Sequence, residues 1–168
     1  MNIQKIIFPS ILLVILLFTA NNTLADWEVT GPTNVDPQNI VVVISENPRA
    51  NPERTCLAVT LAKALALNSY RPQNVTIFAT LDGSALGVEK KIKNKRFKCA
   101  QSGGPEISLK ENLEQFLNDN PNNLVLCPLC FIERFGTDYD YGVLPGVDGV
   151  SPAAVIDLFA NADKVLNF

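Results

Sequence analysis

The sequence predicts an α/β fold of three layers, a mostly parallel sheet with helices on both faces. Three observations carry that expectation. "IVVVI" (Ile40 to Ile44) is a continuous β-branched run of the kind a strand needs when both its faces are buried. Two further strand-length apolar runs follow, "NVTIFAT" and "NLVLC", and helix signals fall between them. Strands separated by helices pair in parallel through crossover connections, and reactive groups then gather beyond the carboxyl ends of the strands.

Taken in order, residues 1–25 read as a secretory signal peptide. Lys5 supplies a positive charge, "IIFPSILLVILLFTA" is apolar but broken by Pro9, and "TLA" before Asp26 has the small-x-small pattern of a cleavage site. The apolar stretch is shorter than the ~20 residues that span a bilayer. Residues 26–39, with Gly31, Pro32 and Pro37, read as an N-terminal arm. The domain is expected over 40–168. After its first strand comes the polar loop "SENPRANPER", then a helix with Asn51 as N-cap and Pro52 in its first position. The apolar face of that helix is Cys56, Val59, Ala62, Ala66 and Leu67, so Cys56 is expected to point inward.

The second strand, Asn74 to Thr80, ends at the turn dipeptide Asp82-Gly83. A long loop follows, carrying the basic run "EKKIKNKRFK" and then "CAQSGGPE". Ser108 and Glu111 have capping-box spacing ahead of the helix "LKENLEQFLND". "NLVLC" is the third strand. A glycine-rich loop (136–149), a helix from Pro152 to Asn161 and a short final strand "KVLNF" complete the chain, with no internal repeat.

The 168 residues carry a formal charge of −3, and loss of Lys5 with the leader takes it to −4. An acidic chain argues against a nucleic-acid partner. The basic run between Glu89 and Lys98 reads either as a solvated loop or as a docking patch for an acidic partner or anionic substrate. The chain has no histidine, which removes the usual general base, the Cys-His dyad and most catalytic zinc sites. It also lacks a nucleophile-elbow serine motif, a phosphate-binding glycine motif and a dinucleotide fingerprint, and no cofactor is expected.

Its chemistry therefore rests on four cysteines: Cys56, Cys99, Cys127 and Cys130. Cys127 and Cys130 form a C-x-x-C where a buried strand meets a helical turn opened by Pro128. Amide N–H groups at a helix start stabilise a thiolate, which can attack a disulfide or hold sulfane sulfur as a persulfide, with Cys130 one turn on to resolve the adduct. The same spacing also suits a static disulfide. Thioredoxin-like exchange normally places its C-x-x-C after an early strand, whereas here it follows the third. A zinc site would need ligands from three distant segments without a second C-x-x-C, so no metal is expected. Spacing does not fix whether Cys56 pairs with Cys99.

From Ile40 to Phe168 the chain resembles the DsrE/DsrF-like family of sulfur-relay proteins. The resemblance lies in "VVVIS", "LAVTLAKALALN", "VTIFATLDGSALG", "LEQFLNDNPNNLVLCPLC" and the closing "NADKVLNF", in that order and spacing. It implies a small α/β subunit that assembles into trimers or hexamers and carries persulfide sulfur at the position of Cys127, with Cys130 the extra thiol of some members. Two features depart from the family pattern. Well-known relay members are cytoplasmic, whereas this chain begins with a leader, and the usual arginine-glycine after the cysteine is here Arg134-Phe135-Gly136.

The expected function is that of an exported, periplasmic sulfur-handling or thiol-redox protein with Cys127 and Cys130 as its reactive pair. Its partners would be copies of itself and a sulfur donor or acceptor protein, with no nucleic acid and no membrane after leader cleavage. The alternative is a non-catalytic oligomeric module with a structural Cys127–Cys130 disulfide. Because strand-end loops converge, Asn47, Arg49 and Asp82 are expected at the same pocket mouth, with Arg49 as the anion contact. Association is also expected from aromatic residues of the C-terminal third, Phe131, Phe135, Tyr139, Tyr141 and Phe159, some of which a monomer would leave at its surface.

Overall fold

A computed structural model describes residues 36–68, 73–93, 98–101, 104–136, 143–149 and 151–168. The expected leader, most of the arm, and Tyr139 and Tyr141 lie outside the described residues. Strand β1 (Gln38–Ile44) starts two residues before Ile40, where Gln73 Oε1 accepts the Gln38 N–H at 3.1 Å. Helix α1 (Pro52–Ala66) follows, with the Asn51 side chain accepting the Arg54 N–H and Pro52 in the first turn. It leads to β2 (Gln73–Ala79), which pairs in parallel with β1 from Gln38↔Gln73 to Ile44↔Ala79. Leu67 caps α1 and is exposed, so the apolar face ends earlier than the sequence period suggests.

Beyond β2 lie a 3-10 helix (Leu81–Gly87), the short α2 (Glu89–Ile92), and the antiparallel hairpin of β3 (Lys98–Gln101) and β4 (Gly104–Ser108). Helix α3 (Leu109–Asp119) starts at Ser108, whose hydroxyl accepts the Glu111 N–H. Strand β5 (Leu124–Leu126), α4 (Pro128–Phe135), β6 (Val147–Gly149), α5 (Pro152–Ala160) and β7 (Lys164–Asn167) complete the described chain. The main sheet has the order β6-β5-β2-β1-β7, and every pair in it is parallel.

The side-chain alternation of β1 shows why the run is apolar throughout. Ile40, Val42 and Ile44 face a large core with Val59 and Ala62 of α1, Leu113 and Phe116 of α3, and Phe131 of α4. Val41 faces the other way, with Phe78 and Val125, toward Val155, Leu158 and Phe159 of α5. Phe159 meets Phe78 edge-on, ring centroids 5.2 Å apart. Helices thus cover both faces, which makes the three layers.

Two strand segments depart from the sequence reading. The hairpin β3–β4 occupies the stretch read as loop. It is held from outside, by Cys99 against Cys56 of α1 and by Gln101, which accepts from Lys63 at 2.6 Å and donates to buried Asn112 at 3.3 Å. β6 lies within the glycine-rich loop and is defined only by its pairing with β5. The basic run is not all solvated loop either. α2 forms its start, Ile92 is buried, and Glu89 reaches Lys110 of α3 at 3.1 Å. That ammonium, with Lys93, holds the Glu89 carboxyl below its ordinary range.

The turn after β2 is pressed onto the end of β1. Thr80 N–H donates to Ile44 O at 2.9 Å and Gly83 N–H to Ser45 O at 3.1 Å, and a Cβ on Gly83 would lie 2.1 Å from Ile44 O. Backbone cannot yield as a side-chain tip would. Gly83→Ala is therefore expected to destabilise the protein by about 1–3 kcal/mol or more, read as a lowered urea midpoint. A midpoint equal to the parent's would mean that this contact is not close-packed.

Candidate functional site

The junction of β5 and α4 is short and sharply defined. Leu124, Val125 and Leu126 are all buried, and the ladder runs one residue further because Cys127 N–H donates to Ala79 O at 2.9 Å. Pro128 then occupies the first helical position, where its missing N–H costs nothing. Cys127 is the N-cap: its carbonyl accepts the Phe131 N–H at 2.9 Å and its Sγ accepts the Cys130 N–H at 3.4 Å. Phe131 is fully buried and pins the helix to the core, with the Phe135 ring tilted against it, centroids 5.1 Å apart. The aromatics of this segment thus pack inward. Leu129 and Ile132, 70% and 41% exposed, are what α4 presents outward.

Cys127 and Cys130 are half-buried, their Cα atoms are 5.3 Å apart, and their sulfurs lie within disulfide distance. Thr80 Oγ1 is 3.4 Å from Cys130 Sγ. Leu81, at φ 48°, turns the chain sharply after Thr80. The next residue, Asp82, accepts the Arg134 Nε–H at 2.6 Å. Arg134 also donates from Nη1 to Cys130 O at 3.5 Å and to Glu133 Oε2 at 3.4 Å. The Asp82 carboxylate raises Arg134 above its ordinary value, so this guanidinium is charged at every working pH.

The sequence-expected contacts divide unevenly. Asp82 reaches α4 through Arg134. Arg49 donates to the carbonyls of Lys91 (2.9 Å) and Lys90 (2.7 Å) and lines, with Arg134 and Phe135, a cavity of about 400 Å³. Asn47 is engaged by its own loop, where Oδ1 accepts the Arg49 N–H at 2.9 Å and its carbonyl accepts from Ala50 and Asn51. Sequence reading did not place Thr80, Lys90, Lys91 or Phe135 at this site, although it named the run holding Lys90 and Lys91 as a candidate anion patch. The signals for them were the basic run and the Arg134-Phe135 pair, both visible but without a location.

Cys56 and Cys99 form a second pair at disulfide distance, with both side chains buried. Among the described residues no group of three or more His, Cys, Asp or Glu is placed to hold a metal ion. Another cavity, about 370 Å³, opens beneath α5 beside Asn39, Asn74 and Asn122. These residues mark the amino ends of the strands, the edge opposite Cys127, and bring no nucleophile.

A pair of thiols placed this way can open and close a disulfide, and only Cys127 has its sulfur at the start of a helix. The sequence model of the DsrE/DsrF-like family matches residues 38–168 of the chain. No curated protein matches it. After reduction, Cys127 is expected to react with iodoacetamide near neutral pH faster than Cys130, since its Sγ accepts a helix-start N–H that stabilises the thiolate. Peptide mapping after brief alkylation reads the ratio. Equal labelling would show that the helix start confers no thiolate preference.

Proposed function

The chain belongs to the DsrE/DsrF-like family, and on that premise we propose that it handles sulfur through Cys127, which accepts a sulfane sulfur as a persulfide. The family suggests a sulfur-relay or thiol-related role. The observation that carries the finer reading is the N-cap position of Cys127, whose Sγ already accepts a helix-start N–H. In the reduced pair, Cys127 thiolate attacks the terminal sulfur of a donor persulfide. A Cys127 S–S bond forms, the donor S–S bond breaks, and the donor leaves as thiolate with the bonding electrons. Cys130 thiolate can then attack the Cys127 sulfur of the adduct, closing Cys127–Cys130 and expelling hydrosulfide. A dithiol reductant reopens the pair for another cycle.

Export to the periplasm is part of the proposal and is supported by the leader-like residues 1–25. Assembly into a homo-oligomer, a trimer or a hexamer, is another part. Its support moves from aromatic to aliphatic residues, because Phe131 is buried while Leu129, Ile132 and Ile156 are exposed. Asn47, Arg49 and Asp82 are proposed to line or support the approach to the cysteines, with Asn47 acting through the loop that holds Arg49.

A second reading has its own observation. Both cysteine pairs sit at disulfide distance, as they would in a binding module whose Cys127–Cys130 bond never opens. A redox titration separates the two. An exchanging pair is expected well above about −300 mV, and a structural one below it.

Two further outcomes are expected. Polysulfide treatment of the reduced protein should add about 32 Da, one sulfur atom, on Cys127, and the adduct should be removed by dithiothreitol and absent in Cys127→Ser. Equal loading of all four cysteines would sink site-specific transfer. Sedimentation at micromolar concentration should give three or six times the mass of one chain, and a single monomeric species would remove the assembly claim.

A further inference from the structure

The cavity beside α4 is built differently from a site for a bare inorganic ion. Val88, 3% exposed, and the Phe135 ring give it an apolar wall. Arg49, Lys90, Lys91 and Arg134 give it a cationic rim, with Lys91 Nζ 5.7 Å from the Phe135 centroid. Its volume, about 400 Å³, lies within the roughly 300–1,000 Å³ of pockets that enclose organic ligands. A water takes up about 30 Å³, so a four-oxygen anion would leave most of the space unfilled.

Among the described residues, the charge of Arg49, Lys90 and Lys91 is not spent on a carboxylate. Arg49 is held by two backbone carbonyls, which fix its direction without cancelling its charge. A guanidinium has five N–H donors, and three of them make no hydrogen bond among the described residues. Arg134 uses Nε and Nη1 on Asp82, Glu133 and Cys130 O, which leaves Nη2. Among the described residues, the four cations of this rim pair with two carboxylates, Asp82 and Glu133, both at Arg134.

The geometry points to a binding site for a small organic anion, a molecule with a carboxylate, sulfonate or phosphate head on the Arg49–Lys90–Lys91 rim and an apolar body against Val88 and Phe135. Arg134 links this cavity to the cysteines, since its Nη1 donates to Cys130 O and the two residues are one helical turn, about 5.4 Å, apart. Resting on the sulfur-handling reading, the ligand is an anionic organic persulfide. Its terminal sulfur passes to Cys127 as described above, and the anionic thiolate is released to the same cavity.

Binding is tested first without sulfur chemistry, by calorimetry on the Cys127→Ser protein. Benzenesulfonate is expected to bind at least about tenfold more tightly than neutral benzenesulfonamide or inorganic sulfate, and to lose at least about tenfold in Lys90→Gln/Lys91→Gln. Both lysines belong to a short surface helix, and circular dichroism checks that the variant folds. Equal binding of the neutral analogue, equal binding of sulfate, or unchanged affinity in the variant would each overturn the site. The second arm uses the reduced parent protein with the persulfides of 2-mercaptoethanesulfonate and 2-mercaptoethanol as donors. A lower KM for the anionic donor that Lys90→Gln/Lys91→Gln raises, with kcat held, supports the substrate class, and equal KM values overturn it. Benzenesulfonate binding with no transfer from either donor would overturn the sulfur-handling reading while the binding site stood.

Discussion

The parallel ladder between β2 and β5 sets the position of the Cys127–Cys130 pair. Its last rung is the Cys127 N–H on Ala79 O, and everything after that rung is dictated by proline. Because Pro128 has no N–H to continue a ladder and a φ suited to a first helical turn, the strand stops and the helix begins around one residue. Cys127 thereby inherits two properties that neither element gives alone. It is held rigidly at the end of a buried strand, and its sulfur faces the free amides of a new helix. The β2 side of the same rung delivers Thr80 to Cys130 and Asp82 to Arg134, so one hydrogen-bonded pair of strands aligns both walls of the site.

The two cysteine pairs carry different loads. Cys56–Cys99 closes 43 residues of chain and ties the hairpin to α1, and loop closure of that length is worth about 4 kcal/mol in a chain-entropy account. Cys127–Cys130 closes only a helical turn that Phe131 already fixes, so it constrains the unfolded chain far less. Opening it forfeits little stability, whereas opening the first would free β3 and β4. The first pair therefore bears on the fold far more than the second does.

Local signals were legible in the sequence and long-range ones were not. The β-branched run of β1, Asn51-Pro52, Ser108 and Cys127-Pro128 each state a backbone preference within a few residues, and the structure agrees with each. β6 has three residues and exists because β5 lies beside it. The hairpin β3–β4 depends on Cys56, Lys63 and Asn112, which no periodicity connects. In the candidate site, the nearness of Cys127 and Cys130 could be read from their spacing. The Arg134–Asp82 pair spans 52 residues and Arg49 reaches across 42 to Lys91 O, so their meeting is a property of the fold. Phe131, one of the aromatics that a monomer was expected to leave outside, is buried for a related reason. Phe131 and Phe135 lie on one side of α4, and only the sheet beneath determines which side is inside.

Whole-chain charge also concealed the character of the site. A formal charge of −3 describes how the molecule looks from far away, whereas a bound group feels charges within about 8–10 Å at ordinary ionic strength. Among the described residues, Arg49, Lys90, Lys91 and Arg134 supply such charges beside α4. Helix α4 uses charge at both ends, because its N-terminal amides favour negative sulfur at Cys127 while Arg134 lies in its last turn, where the dipole favours a cation. The same arginine is anchored to Asp82 at the end of β2, so the helix cannot rotate about Phe131 without breaking that pair. Orientation of the thiol and placement of the cations are therefore a single arrangement, fixed at one end by proline and at the other by an ion pair.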